Sequence, residues 1–235
     1  MPFFISSNIV LTESIKNVII TQGNCKNNIS FLGLMEAVMK EKILMAVAQE
    51  IKNRGIKFTI DNVAVRLGIS KKTIYQYFSS KDEIITQVIE LALVDVEGQE
   101  QEILAGKETD FVEKIGALIL LTPKIFGPID DWIMADIERY RSQDWERIEK
   151  FKYERMLVLS QLLEEGIDLG IVRTMNAKVA ARLLLGACRE LSQYKFLEEN
   201  NLNSIEARRL LTEVFLYGIL AKSKLKSEEG LMCNE

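Results

Sequence analysis

The stretch from Ser70 to Phe78 carries a run of polar side chains whose chemistry suits contact with a polyanion. At helical spacing Ile74, Tyr77 and Phe78 share one face, so the opposite face holds only positive charge, hydroxyl, phenol and amide groups. An ordinary solvated helix would carry charges of both signs. Lysines and hydroxyls suit phosphate oxygens, whereas threonine, glutamine and tyrosine also reach base edges or the thymine methyl group. The outward residues are Lys71, Lys72, Thr73, Tyr75 and Gln76.

A short helix and a glycine turn precede this face and must hold it in place. Apolar residues recur there at i, i+3, i+4 and i+7, as along one side of a helix: Ile60, Val63, Ala64 and Leu67. Thr59 stands before them as an N-cap, and Gly68 follows where a chain leaving a helix often needs a positive φ. The pattern predicts two short helices joined by a tight turn, with Ser70 capping the second.

Longer helices are predicted on both sides of this pair. The preceding helix ends at Gly55, and its apolar stripe is Ile43, Leu44, Val47, Ala48 and Ile51. On the other side, Ser80 and Glu83 form a Ser-x-x-Glu capping box. This box predicts a further helix that starts at Lys81 and runs to about Ala105. A helix, a helix-turn-helix and the start of a long helix therefore make up the first module.

A specific set of residues in this module resembles a known family. They are Thr59-Ile60, Val63-Ala64, Leu67-Gly68-Ile69-Ser70, Lys72-Thr73-Ile74-Tyr75-Gln76-Tyr77-Phe78 and Lys81-Asp82-Glu83. The run from Lys40 to about Glu90, about 50 of the 235 residues, resembles the DNA-binding domain of the tetracycline-repressor (TetR) family of bacterial transcription regulators. The family pattern often has glycine or a similar small residue where this chain has Lys72, which adds a charge at the surface facing DNA and leaves the base preference open.

The resemblance implies an all-α fold, with an N-terminal three-helix helix-turn-helix DNA-binding domain and a C-terminal helical bundle for ligand binding and dimerisation. The implied partners are a near-palindromic double-stranded DNA operator, a small-molecule effector and a second copy of the chain. Carried over to matching positions, phosphate contacts fall to Thr59, Tyr75, Tyr77 and Lys81. The positions that face the groove and read bases are Lys71, Lys72, Thr73 and Gln76.

Charge is distributed unevenly along the chain. Residues 36–82 contain nine Lys/Arg and five Asp/Glu, whereas residues 83–235 contain nineteen and twenty-eight, and the whole chain has a net charge of −4. An acidic protein can still bind DNA if its basic residues cluster on one module, and the acidic remainder discourages nonspecific binding. The distribution therefore favours a DNA-binding N-terminal module joined to a part with another role.

The composition argues against the main enzyme classes. With no histidine, the chain lacks the usual general base and the Ser-His and Cys-His pairs. It has no phosphate-cradling GxxxxGK(S/T) loop and no GxGxxG after a strand. Cys25, Cys188 and Cys233 lie far apart without CxxC spacing, so neither zinc nor a disulfide framework is indicated. We predict a cytoplasmic non-enzyme without cofactor or metal, and Cys188 is either a buried thiol or a redox sensor.

Four segments follow from these patterns. Residues 1–35 lack helical periodicity and are expected to be a disordered or non-native leader, the alternative being an arm that touches the minor groove. Residues 36–82 form the DNA-binding domain, residues 83–226 the ligand-binding and dimerisation bundle, and residues 227–235 a flexible tail. No signal peptide or membrane span is indicated. The alternative function is a helical adaptor without DNA binding, which leaves the basic second helix unexplained.

Six helices are predicted after the helix-turn-helix, and the last two are expected to form a four-helix bundle across a two-fold axis. Five of them are predicted at about Lys81–Ala105, Asp110–Leu121, Gln143–Leu169, Asn176–Glu198 and Ser204–Lys226, and the third in chain order carries Trp132, Ile133, Ile137 and Tyr140. The apolar stripes of the last two helices are wide for the surface of a monomer, which favours contact with a second subunit. The predicted dimer interface comprises Leu183, Leu184, Ala187, Leu191, Leu211, Val214, Phe215 and Gly218.

A cavity for a small, largely apolar ligand is predicted in the bundle. Its candidate lining is Phe126, Trp132, Met134, Tyr140, Met156 and Leu185, although the same residues suit an ordinary core. Polar groups would be needed to orient a ligand, and the candidates are Arg139, Arg141, Gln161 and Arg182. The break at Pro123–Pro128 is the expected entrance. The chain is thus predicted to be a homodimeric repressor that a ligand releases from DNA.

Overall fold

The computed structural model of the protein describes residues 31–106, 110–127, 129 and 131–220. This part of the chain is all-α, and its one β-type pairing is an isolated antiparallel bridge between Val172 and Leu220. The predictions for residues 1–30 and 227–235 lie outside the described residues. None of the helices in the described ranges is long and apolar enough to cross a membrane.

Three helices pack into the N-terminal module through short apolar faces. They are α1 (Phe31–Arg54), α2 (Ile60–Leu67) and α3 (Lys71–Tyr77), with a 3-10 turn at Gly55–Lys57 between α1 and α2. Ile43, Val63 and Ile74, one from each helix, are fully buried in a common core. The predicted leader boundary after residue 35 falls inside α1, because this helix already begins at Phe31.

Seven further helices build the larger C-terminal part. They are α4 (Lys81–Ala105), α5 (Phe111–Leu120), α6 (Asp131–Tyr140), α7 (Ser142–Asp168), α8 (Ala177–Leu191), α9 (Tyr194–Glu199) and α10 (Ser204–Ile219). The predicted bounds of α4 are met at both ends, and those of α5 and α7 are met within one residue. Apolar periodicity and capping residues therefore located these helices well.

The prediction of one continuous helix over Asn176–Glu198 is wrong. α8 ends at Leu191, and α9 begins three residues later at Tyr194. At the break the Ser192 hydroxyl donates to the Cys188 carbonyl at 2.7 Å, and the Ser192 N–H donates to the Arg189 carbonyl at 3.3 Å. Serine competes for backbone hydrogen bonds in this way, which interrupts a helix that its neighbours would continue.

Two apolar cores divide the molecule, and two long helices pass between them. The first core joins the N-terminal module to the start of α4, to α6 and to Ile148 of α7. The second core joins α5, α8 and α10 to Leu163 further along α7. Since a helix transmits displacement along its length, α4 and α7 are the elements that mechanically connect the two cores.

Candidate nucleic-acid interface and effector cavity

The start of α2 is closed by a reciprocal cap. The Asn62 N–H donates to the Thr59 hydroxyl oxygen at 3.3 Å, and the Thr59 N–H donates to Asn62 Oδ1 at 3.1 Å. The N-cap at Thr59 is confirmed, and its capping-box partner is asparagine, which the sequence pattern did not single out. The side chain of Thr59 remains exposed at this helix start.

The turn between α2 and α3 has the geometry that glycine was expected to supply. Gly68 has φ +65° and ψ 30°, and its N–H donates to the Val65 carbonyl at 3.2 Å. The Ile69 N–H donates back to the Ala64 carbonyl at 3.1 Å, and the Ile69 side chain packs against the module core. Open space surrounds the Gly68 Cβ position, so backbone conformation rather than crowding requires glycine here.

The outward face of α3 is presented as predicted. Ser70 caps the helix by accepting from the Thr73 N–H at 3.0 Å, and Ile74 and Phe78 are buried beneath it. The side chain of Tyr77 is half-buried against the module core. Lys71, Lys72, Tyr75 and Gln76 are exposed, and Thr73 is half-buried beside Ser70. These side chains therefore form one surface on a helix that is fixed at its start and along its inner side.

One acid lies beside this surface. Lys71 Nζ lies 2.8 Å from Asp61 Oδ2 of α2, and this hydrogen bond raises the pKa of Lys71 above its ordinary value. Both side chains are exposed, and water and salt screen such a pair, so it stabilises the fold only weakly. A phosphate can therefore replace Asp61 as the partner of Lys71 at little energetic expense.

Lys81 has partners that the sequence did not predict. Its ammonium donates to the Ile56 carbonyl at 2.8 Å and also to the Phe58 carbonyl, and it lies 4.4 Å from the centroid of the Phe58 ring. Burial lowers the pKa of Lys81. These hydrogen bonds of Lys81 link the start of α4 to the turn after α1. The phosphate contact at Lys81 stays a prediction, and it must share the ammonium with these two carbonyls.

The predicted capping box at the start of α4 is half correct. The Glu83 N–H donates to the Ser80 hydroxyl oxygen at 3.0 Å, as the pattern requires. The Glu83 carboxylate instead accepts from the N–H and the hydroxyl of Ser79, each at 2.6 Å. These two bonds lower the pKa of Glu83. The cap therefore reaches one residue further back than the Ser-x-x-Glu pattern implies.

A polar network joins the start of α4 to α7. Arg141 lies immediately before α7, and its guanidinium is 2.6 Å from Asp144 Oδ2. The same guanidinium donates to the Asp82 carboxylate and to the Asp82 carbonyl, and to the Thr86 hydroxyl at 2.7 Å. The Thr86 hydroxyl in turn lies 3.1 Å from Asp144 Oδ1. Arg141 was a candidate for orienting a ligand, and the structure places it in this joint instead.

Helix α6 packs on the N-terminal module, which corrects two pocket predictions. The Trp132 ring lies so close to Gly55 that a Cβ there would be 2.6 Å from it. Tyr140 stacks under Lys57, whose Nζ is 4.9 Å from the ring centroid, and Lys57 also pairs with Asp136 at 3.6 Å. Trp132 and Tyr140 are therefore contacts between module and bundle, and they do not line the cavity.

A cavity of about 640 Å³ lies among the bundle helices. Four predicted residues do line it: Phe126, Met134, Met156 and Leu185. This volume lies within the range of about 300–1,000 Å³ that is typical of small-molecule sites. Pro123 and Gly127 lie on its wall, next to the expected entrance, whereas Pro128 is outside the described residues.

The polar lining of the cavity differs from the prediction. Arg182 borders it, whereas Arg139 stacks on Tyr140 at 5.4 Å from the ring centroid and Gln161 is exposed elsewhere. The buried polar groups are Glu100 of α4 and Arg155 of α7, whose Oε2 and Nη1 atoms are 3.1 Å apart. A signal for them exists in the sequence, because each charge interrupts an otherwise apolar helix face.

Comparison with known proteins supports the prediction of a DNA-binding transcription regulator. Residues 43–88 match the family described as bacterial regulatory proteins, tetR family. The uncharacterized HTH-type transcriptional regulator YvaF of Bacillus subtilis (strain 168) is 23% identical over 183 residues, which cover 78% of this chain and 96% of that protein. The matched segment begins at Ile43 in α1 and ends in the first half of α4. Residues 43–88 therefore form a tetR-family module, and the chain as a whole is similar to HTH-type transcriptional regulators.

Solved structures show the same fold. A putative transcriptional regulator from Saccharomonospora viridis, in complex with choline, is 18% identical with a TM-score of 0.66, covering 79% of this chain and 100% of that one. The ketosteroid transcriptional regulator KstR2 of Mycobacterium tuberculosis is also 18% identical, with a TM-score of 0.56, covering 78% of this chain and 96% of that one. The all-α architecture with an N-terminal DNA-binding helix-turn-helix and a helical C-terminal domain is confirmed.

An exposed apolar strip runs along α8 and α10. Its members are Val179, Leu183, Leu210, Val214 and Tyr217, all of them exposed. Leu183 and Val214, both predicted interface residues, are 68% and 71% exposed. Leu184 is only 5% exposed and packs in the core of its own subunit, so little of its side chain is available to a partner.

The other predicted interface residues are intermediate cases. Leu211 and Phe215 are half-buried and pack against the second core of the same chain. Ala187 and Leu191 are half-buried, and Gly218 is exposed. Leu183 and Leu184 differ in exposure because adjacent residues on a helix point in directions about 100° apart, so only one of them faces outward.

Cys188 borders the cavity. Burial raises the pKa of its thiol, and a nearby Arg208 opposes that change only in part. The thiolate is the reactive form of cysteine, so burial of this kind disfavours oxidation chemistry. Of the two roles left open by the sequence, a buried thiol agrees better with this environment.

Proposed function

We propose that this protein is a ligand-responsive repressor that binds a near-palindromic operator as a homodimer and is released by a small, largely apolar molecule. The observation that carries the proposal is the surface of α3, where lysine, phenol and amide groups stand exposed on a helix held by Ser70 and Ile74. A helix that is already fixed at its start and along its inner side can enter the major groove without rearranging. The proposed protein has no catalytic role and acts in the cytoplasm.

The DNA contacts divide into two groups. Lys71, Lys72, Thr73 and Gln76 are proposed to face the groove, where amide and hydroxyl groups read base edges. Thr59, Tyr75, Tyr77 and Lys81 are proposed to hold phosphates, which positions α3 without reading sequence. The exposed start of α2 supports the role of Thr59, because backbone N–H groups at a helix start favour an anion.

Dimerisation is proposed to bury the strip on α8 and α10. Exposed Leu183 and Val214 are large apolar side chains on neighbouring helices that also pack against each other within the subunit. A self-complementary pairing of these helices about a two-fold axis would remove both from water. Two copies of α3 would then lie one helical turn of DNA apart, which matches a near-palindromic operator.

Release is proposed to work through α4 and α7. The cavity lies against both helices, and the Arg141 network ties α7 to Asp82 and Thr86 at the first turns of α4. A ligand that prefers one packing of these helices would shift the population of module orientations by its difference in affinity. The complex of the Saccharomonospora viridis regulator with choline supports a small-molecule site in this fold.

Selection of bound duplexes from a random DNA library tests the DNA-binding part. The selected duplex should bind with a steep salt dependence, because each phosphate contact adds about 0.9 to the slope of log K against log salt. A Lys72→Ala/Gln76→Ala variant should lose most of this binding. The matched control Lys150→Ala removes an exposed charge from α7 and should bind as the parent does. Absence of retention on duplex DNA at low salt would favour the helical adaptor instead.

A further inference from the structure

Four helices converge on the guanidinium of Arg155 inside the cavity. Arg155 of α7 faces Glu100 of α4 at 3.1 Å, and its Nη2 donates to the Leu118 carbonyl of α5 at 3.3 Å. Its guanidinium carbon lies 5.7 Å from the centroid of the Phe151 ring, and Arg208 of α10 is close enough to act on it electrostatically. The group thus sits where α4, α5, α7 and α10 meet.

This guanidinium is incompletely satisfied. Among the described residues, Nη1 of Arg155 is a buried side-chain nitrogen without a hydrogen-bond partner, since the contact with Glu100 has the distance but not the angle of a hydrogen bond. A guanidinium carries five N–H donors in a planar fork. Burial lowers the pKa of Arg155, because neighbouring groups compensate only in part for the water that its positive charge has lost. Buried donors of this kind are uncommon in folded proteins and call for a partner.

The charge around Arg155 is not balanced by Glu100 alone. Arg208 also borders the cavity, is half-buried, and donates to the Leu121 carbonyl at 3.1 Å. Burial raises the pKa of Glu100, so the carboxylate that faces Arg155 is itself poorly solvated. Basic side chains outnumber acidic ones on the cavity wall, where Lys152, Arg155, Arg182, Arg189 and Arg208 lie with Glu100, Glu138 and Glu149.

Given the effector site of the proposed function, we propose that the effector is an amphipathic carboxylate whose head group binds Arg155 in place of Glu100. A carboxylate matches the guanidinium fork and forms two parallel hydrogen bonds with it. The apolar wall, with Phe126, Met134 and Met156, accommodates the hydrocarbon part. The effector class is thus defined by a negative head and an apolar tail.

The same exchange explains how binding is communicated. Glu100 lies fourteen positions after Thr86 on α4, which corresponds to about 21 Å along the helix axis. Thr86 contacts Asp144 of α7 near the DNA-binding module, and Glu100 contacts Arg155 of α7 in the cavity. An arriving carboxylate that takes Arg155 separates α4 from α7 at the cavity end. The contact at Thr86 then serves as the pivot.

Cationic and neutral effectors are less suited to this cavity. Two aromatic rings on its wall already have cations of the same chain over them, Lys152 over Trp145 at 4.7 Å and Arg155 over Phe151. A quaternary ammonium group would need such a ring face free. A neutral alcohol would bring no negative charge to take the place of Glu100 beside Arg155.

Calorimetry on the full chain distinguishes these head groups with three probes that share one tail: decanoate, decanol and decyltrimethylammonium. Decanoate should bind at least about tenfold more tightly than either of the others, since a charge-assisted pair typically contributes more than the 1.4 kcal/mol that corresponds to tenfold. Arg155→Gln should abolish this preference, and Glu100→Gln should tighten decanoate binding about tenfold by removing the competing carboxylate. Lys150→Gln removes one exposed positive charge from the same helix and should keep the preference.

Folding and DNA binding are scored separately. Circular dichroism checks each variant, and the double variant Glu100→Gln/Arg155→Gln removes both charges together, so that no unpaired buried charge is left.

Equal binding of decanol and decanoate, or no binding of decanoate at all, overturns the inference while operator binding by the same protein leaves the proposed function intact. If the protein binds no DNA duplex, the proposed function is wrong, while calorimetry still shows which head group the cavity prefers. Decanoate that binds through Arg155 but does not release operator overturns the displacement of α4.

Discussion

The guanidinium of Arg141 and the carboxylate of Asp144 lie 2.6 Å apart, both nearly buried, at the point where α7 meets the first turns of α4. The Asp144 side chain is 4% exposed, and Arg141 is its principal counterion. Because this pair also holds Asp82 and Thr86, it is both a stabilising contact and the joint between the DNA-binding module and the bundle.

Arg141→Ala should lower the free energy of unfolding by about 3–5 kcal/mol, because it leaves a buried carboxylate without its partner. Urea denaturation measures this change. Arg147 provides a matched control, since its Nη1 is 4.0 Å from the same carboxylate while its side chain is 55% exposed. Arg147→Ala should cost less than about 1 kcal/mol. Equal losses for the two variants would show that Arg141 has no special role.

Lys81→Ala should reduce both stability and DNA affinity. The ammonium donates to the Ile56 and Phe58 carbonyls, so its removal should lower the free energy of unfolding by about 1–2 kcal/mol. If Lys81 also holds a phosphate, affinity for matched and scrambled duplexes should fall by a similar factor, and the salt slope should fall by about 1. Lys72→Ala is the comparison that should weaken DNA binding without any change in thermal stability. A Lys81→Ala protein with the parent's salt slope would assign Lys81 to structure alone.

Gln76→Ala should alter sequence preference rather than general DNA affinity. The exposed amide lies on the outward face of α3, where a bidentate contact with adenine discriminates by about 1–3 kcal/mol. Binding curves on operators that differ at single base pairs measure this preference. If the variant weakens matched and scrambled duplexes alike, Gln76 is a phosphate contact and not a base reader.

Val214→Glu should convert a dimer into a monomer. Val214 is among the most exposed apolar residues of the described chain, and a charge there would be buried without a partner across the proposed two-fold axis. Sedimentation velocity measures the oligomeric state over a concentration series. Val65→Glu introduces the same charge at an exposed position of α2 and should leave the dimer intact. A dimeric Val214→Glu protein would place the interface elsewhere.

Stability should depend on pH through Glu100. Burial raises the pKa of Glu100 above its ordinary value, while Arg155 lowers it by a smaller amount and Glu97 raises it further. The folded protein therefore holds this proton more tightly than the unfolded chain does. Its contribution is favourable at low pH and is lost as pH rises from the ordinary glutamate pKa through the raised one. The melting temperature of Glu100→Gln should exceed that of the parent by a margin that grows with pH, and a constant margin would argue against this titration.

Local structure in the first module was predictable because its signals are local. Hydroxyl caps at Thr59 and Ser70, the positive φ of Gly68 and the burial of Ile74 all depend on residues within a few positions along the chain. The same holds for the bounds of α4, which begin at a serine cap. Helix geometry converts such spacings directly into faces and ends.

The partners of exposed or half-exposed side chains were not predictable in this way. Periodicity placed Trp132 and Tyr140 on a helix with an apolar side, but not which neighbour that side would meet, and they proved to contact Gly55 and Lys57. Leu184 likewise proved to face its own core. These outcomes depend on the packing of helices far apart in sequence.

By itself, the sequence determined that this chain is helical, that it carries a DNA-binding helix-turn-helix, and which side chains α3 turns outward. Only the tertiary structure decided that Arg141 joins module to bundle and that Glu100 meets Arg155 within the cavity. The physical reason is distance along the chain. Caps and helix faces arise from neighbours a few residues apart, whereas a contact across fifty-five residues exists only once α4 and α7 have packed.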